Sequence, residues 1–437
     1  MNWLTRWLIP LAAWTLVVMA GIATAGGSER QGQLPTSMRV PMEEGITITV
    51  GLKDADMIGS DNRVLQAAVD YVASLGGGTV VIGPGTYLME DSLHVRSGIS
   101  VRGQGEATIL RKADGHRTKL FADGDYGEEQ ITVVEPTGFS VGKGVAVADD
   151  SAGGFHTTVG TIIGRRGNIF AITNPLNADC MVHGNAWAAT IYPVVSVYHT
   201  EGVRIENLSI DGNCDNNAYL DGCRGAGIFL YRAHGTVIKD CLIRRYNGDG
   251  ISFQQSNDVQ VISCVSEENA GLGLHPGSGS QRPVIRDCRA ERNDQDGLFL
   301  CWRVQYGLFE NNALLDNGRD GISIGHKDSD NLLRGNVVEG NRRSGVLFRD
   351  ESEPMAGHRN RLEKNRIFNN GGGADGVGIL IDGVTNDTAL IGNSIGNTNR
   401  RPAVQKIPIR IGKKAGAVVL EDNDMEGKVE DLRADKR

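Results

Sequence analysis

The sequence predicts an all-β solenoid, a parallel β-helix, and three observations support this fold class. The 437 residues include 59 glycines, 12 prolines and only 5% aromatic residues, a balance that favours many tight turns and repetitive packing. A repeat of about 24 residues carries short, β-branched segments with a period of two. An amphipathic segment before the repeats predicts a helix that caps the open end of the solenoid.

In the repeat unit, two apolar residues are followed by Asn or Cys, then by a second Asn and then by Gly-apolar-x-apolar. An example is VIRDCRAERNDQDGLFL. Four consecutive steps between first positions, from Cys241 to Asn336, are 23, 24, 24 and 24 residues. Stacked coils lie about 4.8 Å apart, so each Asn amide can bond the coils on both sides. The first positions are Asn207, Cys241, Cys264, Cys288, Asn312, Asn336, Asn365, Asn393 and Asn423, the second are Asn247, Asn269, Asn293, Asn317, Asn341 and Asn370, and the glycines are Gly250, Gly271, Gly297, Gly321 and Gly345.

The cysteines of the ladder are predicted to be packed thiols, because cysteine is small and tolerates burial. A redox or metal cluster at Cys241, Cys264 and Cys288 is the alternative. Cys214 and Cys223 share the loop NCDNNAYLDGC and could form a disulfide, which the sequence leaves open.

Residues 1–25 predict a signal peptide. Arg6 precedes an apolar run, and Ala23-Thr24-Ala25 provides a small-x-small cleavage site. We therefore expect an exported protein, periplasmic, secreted or on the cell surface, without stable membrane insertion after cleavage. An uncleaved N-terminal anchor is the alternative. The net charge of −8 argues against a nucleic-acid partner.

Ser60-Asp61 predicts the start of the capping helix NRVLQAAVDYVASL. Beyond the predicted signal peptide, the sequence is predicted to have four parts. They are the N-terminal cap and first coils at 45–111, an inserted irregular β element at 112–200, regular coils at 201–425 and a charged tail at 426–437.

The segment DNRVLQAAVDYVASLGGGTVVIGPGTYLMEDSLHVRSGISVRGQG resembles the N-terminal segment of the pectate-lyase-like superfamily, which includes rhamnogalacturonase, polygalacturonase and epimerase relatives. The Asn ladder and the Asp-Gly coils resemble the right-handed β-helix repeats of that superfamily. The resemblance covers most of residues 45–425. It implies a right-handed helix and a polysaccharide substrate, and its motifs specify the fold far better than the reaction.

The outer ends of the Gly-apolar-x-apolar strands form the candidate site. Side chains alternate along a strand, so equivalent outer positions in successive coils form a stripe. The aromatic ring of Trp302 suits stacking on a sugar, and basic side chains can neutralise uronic carboxylates. A solvated charged face with one chance aromatic residue is the alternative. The stripe contains His275, Trp302, Arg303, His326, Lys327, Arg349 and Asp350, with Tyr231 and Gln254 as further substrate-binding positions.

These residue types fit β-elimination on an acidic polysaccharide. A lyase stabilises the charge that develops on a uronic carboxylate and removes the C5 proton. His275 is the first candidate base and His326 the second. Arg303, Lys327 and Arg349 are the predicted charge stabilisers, with Asp350 beside them.

Other reactions remain open on the same fold. A C5 epimerase shares the first step of the lyase, and a non-catalytic polysaccharide-binding or surface solenoid needs no base. A glycoside hydrolase needs two carboxylates, and its candidates are Asp328, Asp330, Asp350 and Glu351. Asp249, Asp296 and Asp320 precede glycines and are predicted to be turn residues.

The resemblance also implies calcium as a cofactor of some lyases, and calcium stays open here. The sequence contains no acidic cluster of EF-hand type, so no metal ligands are predicted. It does not specify the oligomeric state.

Overall fold

The computed structural model describes residues 45–151 and 153–433. The predicted signal peptide lies outside the described residues. No helix within them is both long and apolar enough to cross a membrane.

The first described residues form the first strands of the solenoid and a helix. Asp61 caps the helix through a 3.0 Å hydrogen bond from the Arg63 backbone N–H, as the sequence predicts. Leu65, Val69 and Val72 of this helix pack into the main hydrophobic core. In chain order the elements are β1 (Ile46–Gly51), β2 (Met57–Ile58), α1 (Asn62–Ser74), β3 (Gly78–Ile82), β4 (Gly85–Met89), β5 (Leu93–Val95) and β6 (Ile99–Lys112).

An inserted element with its own antiparallel sheet and hydrophobic core follows β6. It is shorter than the predicted 112–200, because the chain has already returned to the solenoid at β13. Its strands are β7 (Arg117–Lys119), β8 (Gln130–Thr132), β9 (Gly144–Ala148), β10 (Thr158–Arg166), β11 (Ile169–Ile172) and β12 (Trp187–Ala189), with 3-10 helices at Gly154–His156 and Val182–Gly184.

The regular coils are built from short parallel strands. A 3-10 helix at Cys214–Asn216 lies in the loop before β15. The strands are β13 (Val195–Glu201), β14 (Arg204–Asp211), β15 (Ala226–His234), β16 (Val237–Lys239), β17 (Leu242–Arg244), β18 (Asp249–Gln254), β19 (Gln260–Ile262), β20 (Val265–Glu267), β21 (Leu274–Gly277), β22 (Val284–Arg286), β23 (Arg289–Glu291), β24 (Leu298–Phe299), β25 (Leu308–Glu310), β26 (Ala313–Leu315), β27 (Ile322–Ile324), β28 (Leu332–Arg334), β29 (Val337–Glu339), β30 (Ser344–Phe348), β31 (Arg361–Glu363), β32 (Arg366–Phe368), β33 (Val377–Ile381), β34 (Thr388–Ile391), β35 (Ser394–Gly396), β36 (Ile407–Ile411), β37 (Val418–Glu421), β38 (Asp424–Met425) and β39 (Glu430–Asp431).

Stacked coils form two large parallel sheets. The eleven-stranded sheet runs from β5 through β13, β15, β18, β21, β24, β27, β30, β33 and β36 to β39. The other sheet consists of two columns that join at β14, which pairs with β16 at one end and with β17 at the other. The last strand, β39, pairs with β36, so part of the predicted charged tail belongs to a coil.

The predicted ladders hold the coils together. Asn312 accepts a hydrogen bond from the Cys288 backbone N–H at 3.0 Å and donates to the Asn336 side chain at 3.0 Å. The second ladder repeats this arrangement, with Asn317 donating to Asn341 at 2.9 Å. Buried amides in these turns therefore have partners in both neighbouring coils, which removes the cost of burying them.

Both ladders begin one residue away from the predicted position. β14 pairs Ser209 with Leu242, which places Leu208 rather than Asn207 beside Cys241. In the second ladder, the Tyr246 backbone N–H donates to the Asn269 side chain. Tyr246, and not the predicted Asn247, therefore occupies the ladder position in the coil before Asn269. These first coils are irregular because long loops enter the solenoid there.

The repeat glycine of one coil is also corrected. β18 pairs Ile251 with Leu274, which aligns Gly250 with Gly273 rather than with Gly271. A Cβ atom on Gly250 would lie 2.9 Å from the Gly273 carbonyl oxygen, so close stacking excludes a side chain here. The sequence GLGL offers two Gly-Leu pairs, and only the second has the register of the sheet.

All seven cysteines are free thiols, and Cys214 and Cys223 form no disulfide. The three ladder cysteines are buried, with relative exposures of 1–2%. Each thiol lies against backbone carbonyl oxygens, as Cys264 does at 3.4 Å from Ile262. This agrees with the prediction of packed thiols.

Candidate functional site

The outer face of the eleven-stranded sheet carries the predicted stripe, and the strand register corrects one coil of it. β15 pairs Tyr231 with Gln254 of β18, as expected. β21 pairs Gly277 with Gln254, and His275 with Ser252. His275 is therefore two residues away from the predicted outer position, as a direct result of the misaligned repeat glycine.

His275 lies beneath the loop 212–225, which we call the covering loop. Its Nδ1 atom lies 2.7 Å from Asp249 Oδ2, and its ring packs edge-on against Phe299. Burial lowers the pKa of His275, but hydrogen bonding to Asp249 and Cys301 raises it to about 10. With 3% of its surface exposed, this imidazole contacts protein on all sides. Its role as a base stays a prediction.

The sequence predicts that Gln254 contacts substrate, but in the structure its side chain is fully buried. Its Nε2 atom donates to Ser252 Oγ at 2.9 Å, and the next coil covers it at Gly277. Tyr231, its neighbour in register, is half-buried and lines a cleft that is described below.

The edge of this sheet carries a row of side chains from successive coils, which we call the sheet-end row. Each residue of the row follows the outer position of its strand and has a left-handed backbone, with φ between 46° and 63°. Trp302 and His326 of the predicted stripe belong to this row, and in the β21 coil the register places Ser278 in it. Its members are His199, Arg232, Gln255, Ser278, Trp302 and His326.

Trp302 and His326 lie side by side at one end of the sheet-end row. Their ring centroids are 5.7 Å apart, and the Trp302 ring is exposed. His326 Nε2 lies 2.9 Å from Glu351 Oε1 and its Nδ1 lies 3.4 Å from Arg349. Burial and the Arg349 guanidinium lower the pKa of His326 to about 4, so the imidazole is neutral at neutral pH. Both ring nitrogens therefore have protein partners.

Arg349 holds this cluster together from beneath. Its guanidinium donates to Ser323 Oγ and to the Leu300 carbonyl at 2.8 Å each, and it covers the Phe299 ring at 4.4 Å. It also lies 3.2 Å from Asp328, whose pKa burial raises to about 7. These contacts position His326, and they leave little of Arg349 to face a substrate.

The other predicted charges lie around this cluster. Asp350 is exposed and pairs with Lys414 at 3.0 Å, which draws it away from His326. The exposed Arg303 and the partly buried Lys327 follow the row at the turns, each with φ of 66°. The structure thus brings Trp302, His326 and Arg349 together with these two cations.

His275 lies next to this cluster, because its ring packs on Phe299, which Arg349 also covers. Cys301, which interacts with His275, lies 3.8 Å from His326 Nδ1. Gln254 and Asp350 have other partners.

At the other end of the row, a cleft of about 630 Å³ opens between the eleven-stranded sheet and the inserted element. Its floor is the outer face of β5, β13 and β15, which present His94, Ser196, Tyr198 and Tyr231. One wall comes from strand β10 and from the segment 173–177, which follows β11. A cavity of this size between two structural units is typical of a ligand site.

Cations and phenols dominate the chemistry of this cleft. Arg224 donates through Nε to the Phe155 carbonyl at 2.9 Å, and its guanidinium lies 5.5 Å from the Tyr231 ring centre. Tyr198 packs against Tyr231 at 5.7 Å, and burial raises the pKa of its hydroxyl, which is therefore protonated. His199 meets the Tyr231 ring edge-on at 5.6 Å and belongs to the sheet-end row.

Asp91 is the only carboxylate among the described residues that line the cleft. It is nearly buried and accepts hydrogen bonds from the Ser92 backbone N–H at 2.8 Å and from Thr161 Oγ1 at 2.7 Å. His94 Nε2 lies 3.3 Å from its Oδ2 atom. The lining is therefore positively biased, and the further cation Arg96 lies at its rim, where it pairs with Asp70.

Sequence reasoning missed the cleft, apart from Tyr231. His94 and Ser196 are neighbours across two strands, but 102 residues separate them in the chain. The inserted element lies between them and interrupts the repeat on which the alignment of outer positions depends. The alternating pattern of LHV and VSVYH was the available signal, and it becomes useful only when β5 and β13 are known to pair.

The coils also contain a pair of buried carboxylates. Asp296 and Asp320 are buried one coil apart, where the Asp320 backbone N–H donates to Asp296 at 2.8 Å. Burial and the Asp320 charge raise the pKa of Asp296 to about 6. No group of three His, Cys, Asp or Glu side chains within residues 45–151 and 153–433 is arranged to hold a metal ion.

Comparison with known proteins supports the fold. The family described as the right handed beta helix region matches residues 193–346 and 226–395. With the parallel sheets and Asn ladders, this match shows that the chain folds as a right-handed parallel β-helix, and it supports the resemblance to the pectate-lyase-like superfamily.

Similar proteins were found among both sequences and structures. Mannuronan C5-epimerase AlgE1 of Azotobacter vinelandii is 21% identical over 311 residues, which cover 67% of this chain and 15% of the relative. The A-module of mannuronan C-5 epimerase AlgE4 from the same organism superposes with a TM-score of 0.58 at 19% identity, covering 88% of this chain and 97% of that chain. The Dettilon tailspike protein gives 0.54 at 13% identity, covering 89% and 63%. At these identities the structures establish the fold alone.

Proposed function

We propose that this chain is a carbohydrate-active enzyme that removes the C5 proton from uronate residues of an acidic polysaccharide. The observation that carries the proposal is the cleft, where cations and phenols surround a single carboxylate that is already hydrogen-bonded. A polymer that carries one carboxylate per sugar complements such a lining. The similarity to mannuronan C5-epimerases supports the same substrate class.

The first requirement of the reaction is a fixed cation for the uronic carboxylate. Removal of a C5 proton places negative charge on that carboxylate, and a preorganised cation lowers the barrier. Arg224 meets this requirement, because the Phe155 carbonyl and the Tyr231 ring hold its guanidinium in the cleft. Arg96 is more exposed and is engaged by Asp70, so it suits a neighbouring sugar.

The second requirement is an acid–base pair. His199 makes no side-chain hydrogen bond to any residue that the structure describes, and its ring lines the cleft, so its imidazole is free to accept the C5 proton. Tyr198 is held protonated by burial and can supply a proton. Protonation of C5 from the opposite face gives the epimer, whereas loss of the C4 substituent gives an unsaturated chain end.

A glycoside hydrolase fits the cleft less well. Hydrolysis needs two carboxylates about 5–9.5 Å apart. Asp91 has no carboxylate partner among the described lining residues. The predicted bases His275 and His326 remain alternatives within the same reaction class.

Residues 1–25 have the sequence pattern of an export signal. Export would bring the enzyme to extracellular polysaccharide.

The test incubates the protein with mannuronan and other polyuronates in deuterated water. Deuterium at C5 without chain cleavage identifies an epimerase, and ultraviolet absorbance with new reducing ends identifies a lyase. Reducing ends without absorbance or deuterium would contradict the proposal in favour of hydrolysis. Binding without any reaction would contradict it in favour of a non-catalytic solenoid.

Variants locate the base. We expect His199→Gln and Arg224→Met to lower the rate of deuterium uptake by about 10²- to 10⁴-fold. His183→Gln, at an exposed position in the inserted element, is the matched control. If the rate of deuterium uptake falls only in His275→Gln or His326→Gln, the reaction takes place outside the cleft.

A further inference from the structure

The floor of the cleft contains a serine, a histidine and an aspartate in hydrogen-bonded sequence. Ser196 Oγ lies 2.8 Å from His94 Nδ1, and His94 Nε2 lies 3.3 Å from Asp91 Oδ2. The C5 chemistry proposed above uses none of these three groups. All three line the cleft, and 35% of the His94 side chain is exposed.

The fold brings these residues together from two distant segments. β13 pairs with β5 in a register that places Ser196 directly beside His94 on the outer face. Asp91 precedes β5, and its carboxylate is fixed from two sides by the Ser92 backbone and by Thr161 of the inserted element. The inserted element thus supplies one of the two hydrogen bonds that fix Asp91.

The hydrogen-bond network assigns the proton positions. Asp91 is an acceptor and therefore takes the N–H of His94 Nε2, which leaves Nδ1 without a proton. Ser196 must then donate its hydroxyl hydrogen to Nδ1. This is the arrangement in which a histidine activates a serine hydroxyl as a nucleophile and an aspartate holds the imidazole tautomer.

We propose that Ser196, His94 and Asp91 hydrolyse carboxylic esters of small acyl groups on a ligand in the cleft. Ser196 Oγ attacks the ester carbonyl carbon and gives its proton to His94 Nδ1. The bond between that carbon and the alcohol oxygen breaks, and the alcohol leaves with the proton. Water then attacks the acyl-serine, His94 takes one water proton and returns it to Ser196, and a carboxylic acid is released.

The surroundings of Ser196 limit the substrate. Only 2% of the residue is exposed, so its hydroxyl lies at the bottom of the cleft and only a small acyl group can reach it. Tyr198 points from the same strand face two residues further on, about 7 Å along the strand. Its hydroxyl lines the same cleft and is our candidate donor for the developing oxyanion. Acyl groups on sugar hydroxyls have the required size.

The proposal requires a ligand in the cleft but not the C5 reaction, so the two can be tested separately. The probes are p-nitrophenyl acetate and an O-acetylated polyuronate, and released acetate is measured. A fluorophosphonate labels an activated serine, and the labelled peptide is identified by mass spectrometry. We expect acetate release and labelling at Ser196.

Variants complete the test. Ser196→Ala and His94→Gln should lower acetate release by about 10³-fold or more. Ser252→Ala, which removes a hydroxyl from the same sheet face outside the cleft, should retain it. Circular dichroism establishes that each variant is folded. The proposal is overturned if acetate release persists in Ser196→Ala, if the fluorophosphonate labels another residue, or if neither ester is hydrolysed. This holds whatever the result of the deuterium experiment.

Discussion

Lys112 is the residue whose burial has the clearest thermodynamic consequence. Its side chain is fully enclosed, with Nζ donating to Asn217 of the covering loop and lying 4.5 Å from the Tyr192 ring centre. Burial lowers the pKa of Lys112 from 10.5 to about 7. The native state thus binds this proton less tightly than the unfolded chain does.

This difference predicts a pH dependence of stability. Between pH 7 and pH 10.5 the unfolded chain binds more protons at Lys112, so the contribution of this residue to the free energy of unfolding rises with pH there. His275, whose pKa is raised to about 10, contributes with the opposite sign below pH 10. The limiting slope is about 1.4 kcal/mol per pH unit. Below pH 7 the full cost of burying the charge is present. We expect Lys112→Met to lower the slope of the parent protein by this contribution and to stabilise the protein most at pH 7 and below.

Urea denaturation at several pH values between about pH 6 and pH 10 measures this effect. Lys119→Met, which removes an exposed lysine in β7, should keep the slope of the parent protein. An equal slope in Lys112→Met and the parent would contradict the burial argument.

The covering loop is the element that closes the site over His275. Gly222 lies so close to the buried pair that an added Cβ would stand 1.6 Å from Asp249 Oδ2 and 2.9 Å from His275 Nδ1. Neither atom can move far, because both are buried and bonded to each other. Only glycine therefore allows this loop to pack against the sheet.

We expect Gly222→Ala to displace the covering loop without unfolding the coils, whose ladders it does not touch. The thermal midpoint should fall by several degrees, and the thiols of Cys223 and Cys301 should react faster with a thiol reagent. Gly153→Ala is the matched control, because a Cβ there meets no atom within 4 Å. Unchanged thiol reactivity in Gly222→Ala would show that the loop does not protect the pair.

Elements differ in how well the sequence predicts them. The capping helix and ladders depend on local patterns, a cap residue before an amphipathic run and Asn at nearly constant spacing, so α1 and the Asn312–Asn336 contact were predictable. The position of His275 depends on register, and two equivalent Gly-Leu pairs cannot be distinguished without the neighbouring strand. The cleft depends on contacts across an insertion, and no local pattern specifies those.

At the scale of the whole molecule, the sheet-end row joins the cleft to the cluster around Trp302. Six members separated by five coil steps span about 24 Å at the usual spacing of parallel strands. A buried member, Ser278, interrupts the exposed row near its middle. A polymer whose reacting sugar lies beside His199 could therefore contact Trp302 several sugars away, while a short oligomer in the cleft could not.

This geometry predicts a dependence on chain length. Trp302→Ala should raise KM for long polyuronates by about tenfold, the loss of one aromatic stacking contact of about 1.5 kcal/mol. For oligomers that fill only the cleft, KM should stay near that of the parent protein, because remote binding energy is available only to chains that reach Trp302. Tyr126→Ala, which removes an exposed aromatic ring from the inserted element, is the control for nonspecific loss of contact area. KM is measured for a series of oligomers of increasing length. An equal rise at every length would place Trp302 at the reacting sugar, and no rise at any length would remove the sheet-end row from the path of the polymer.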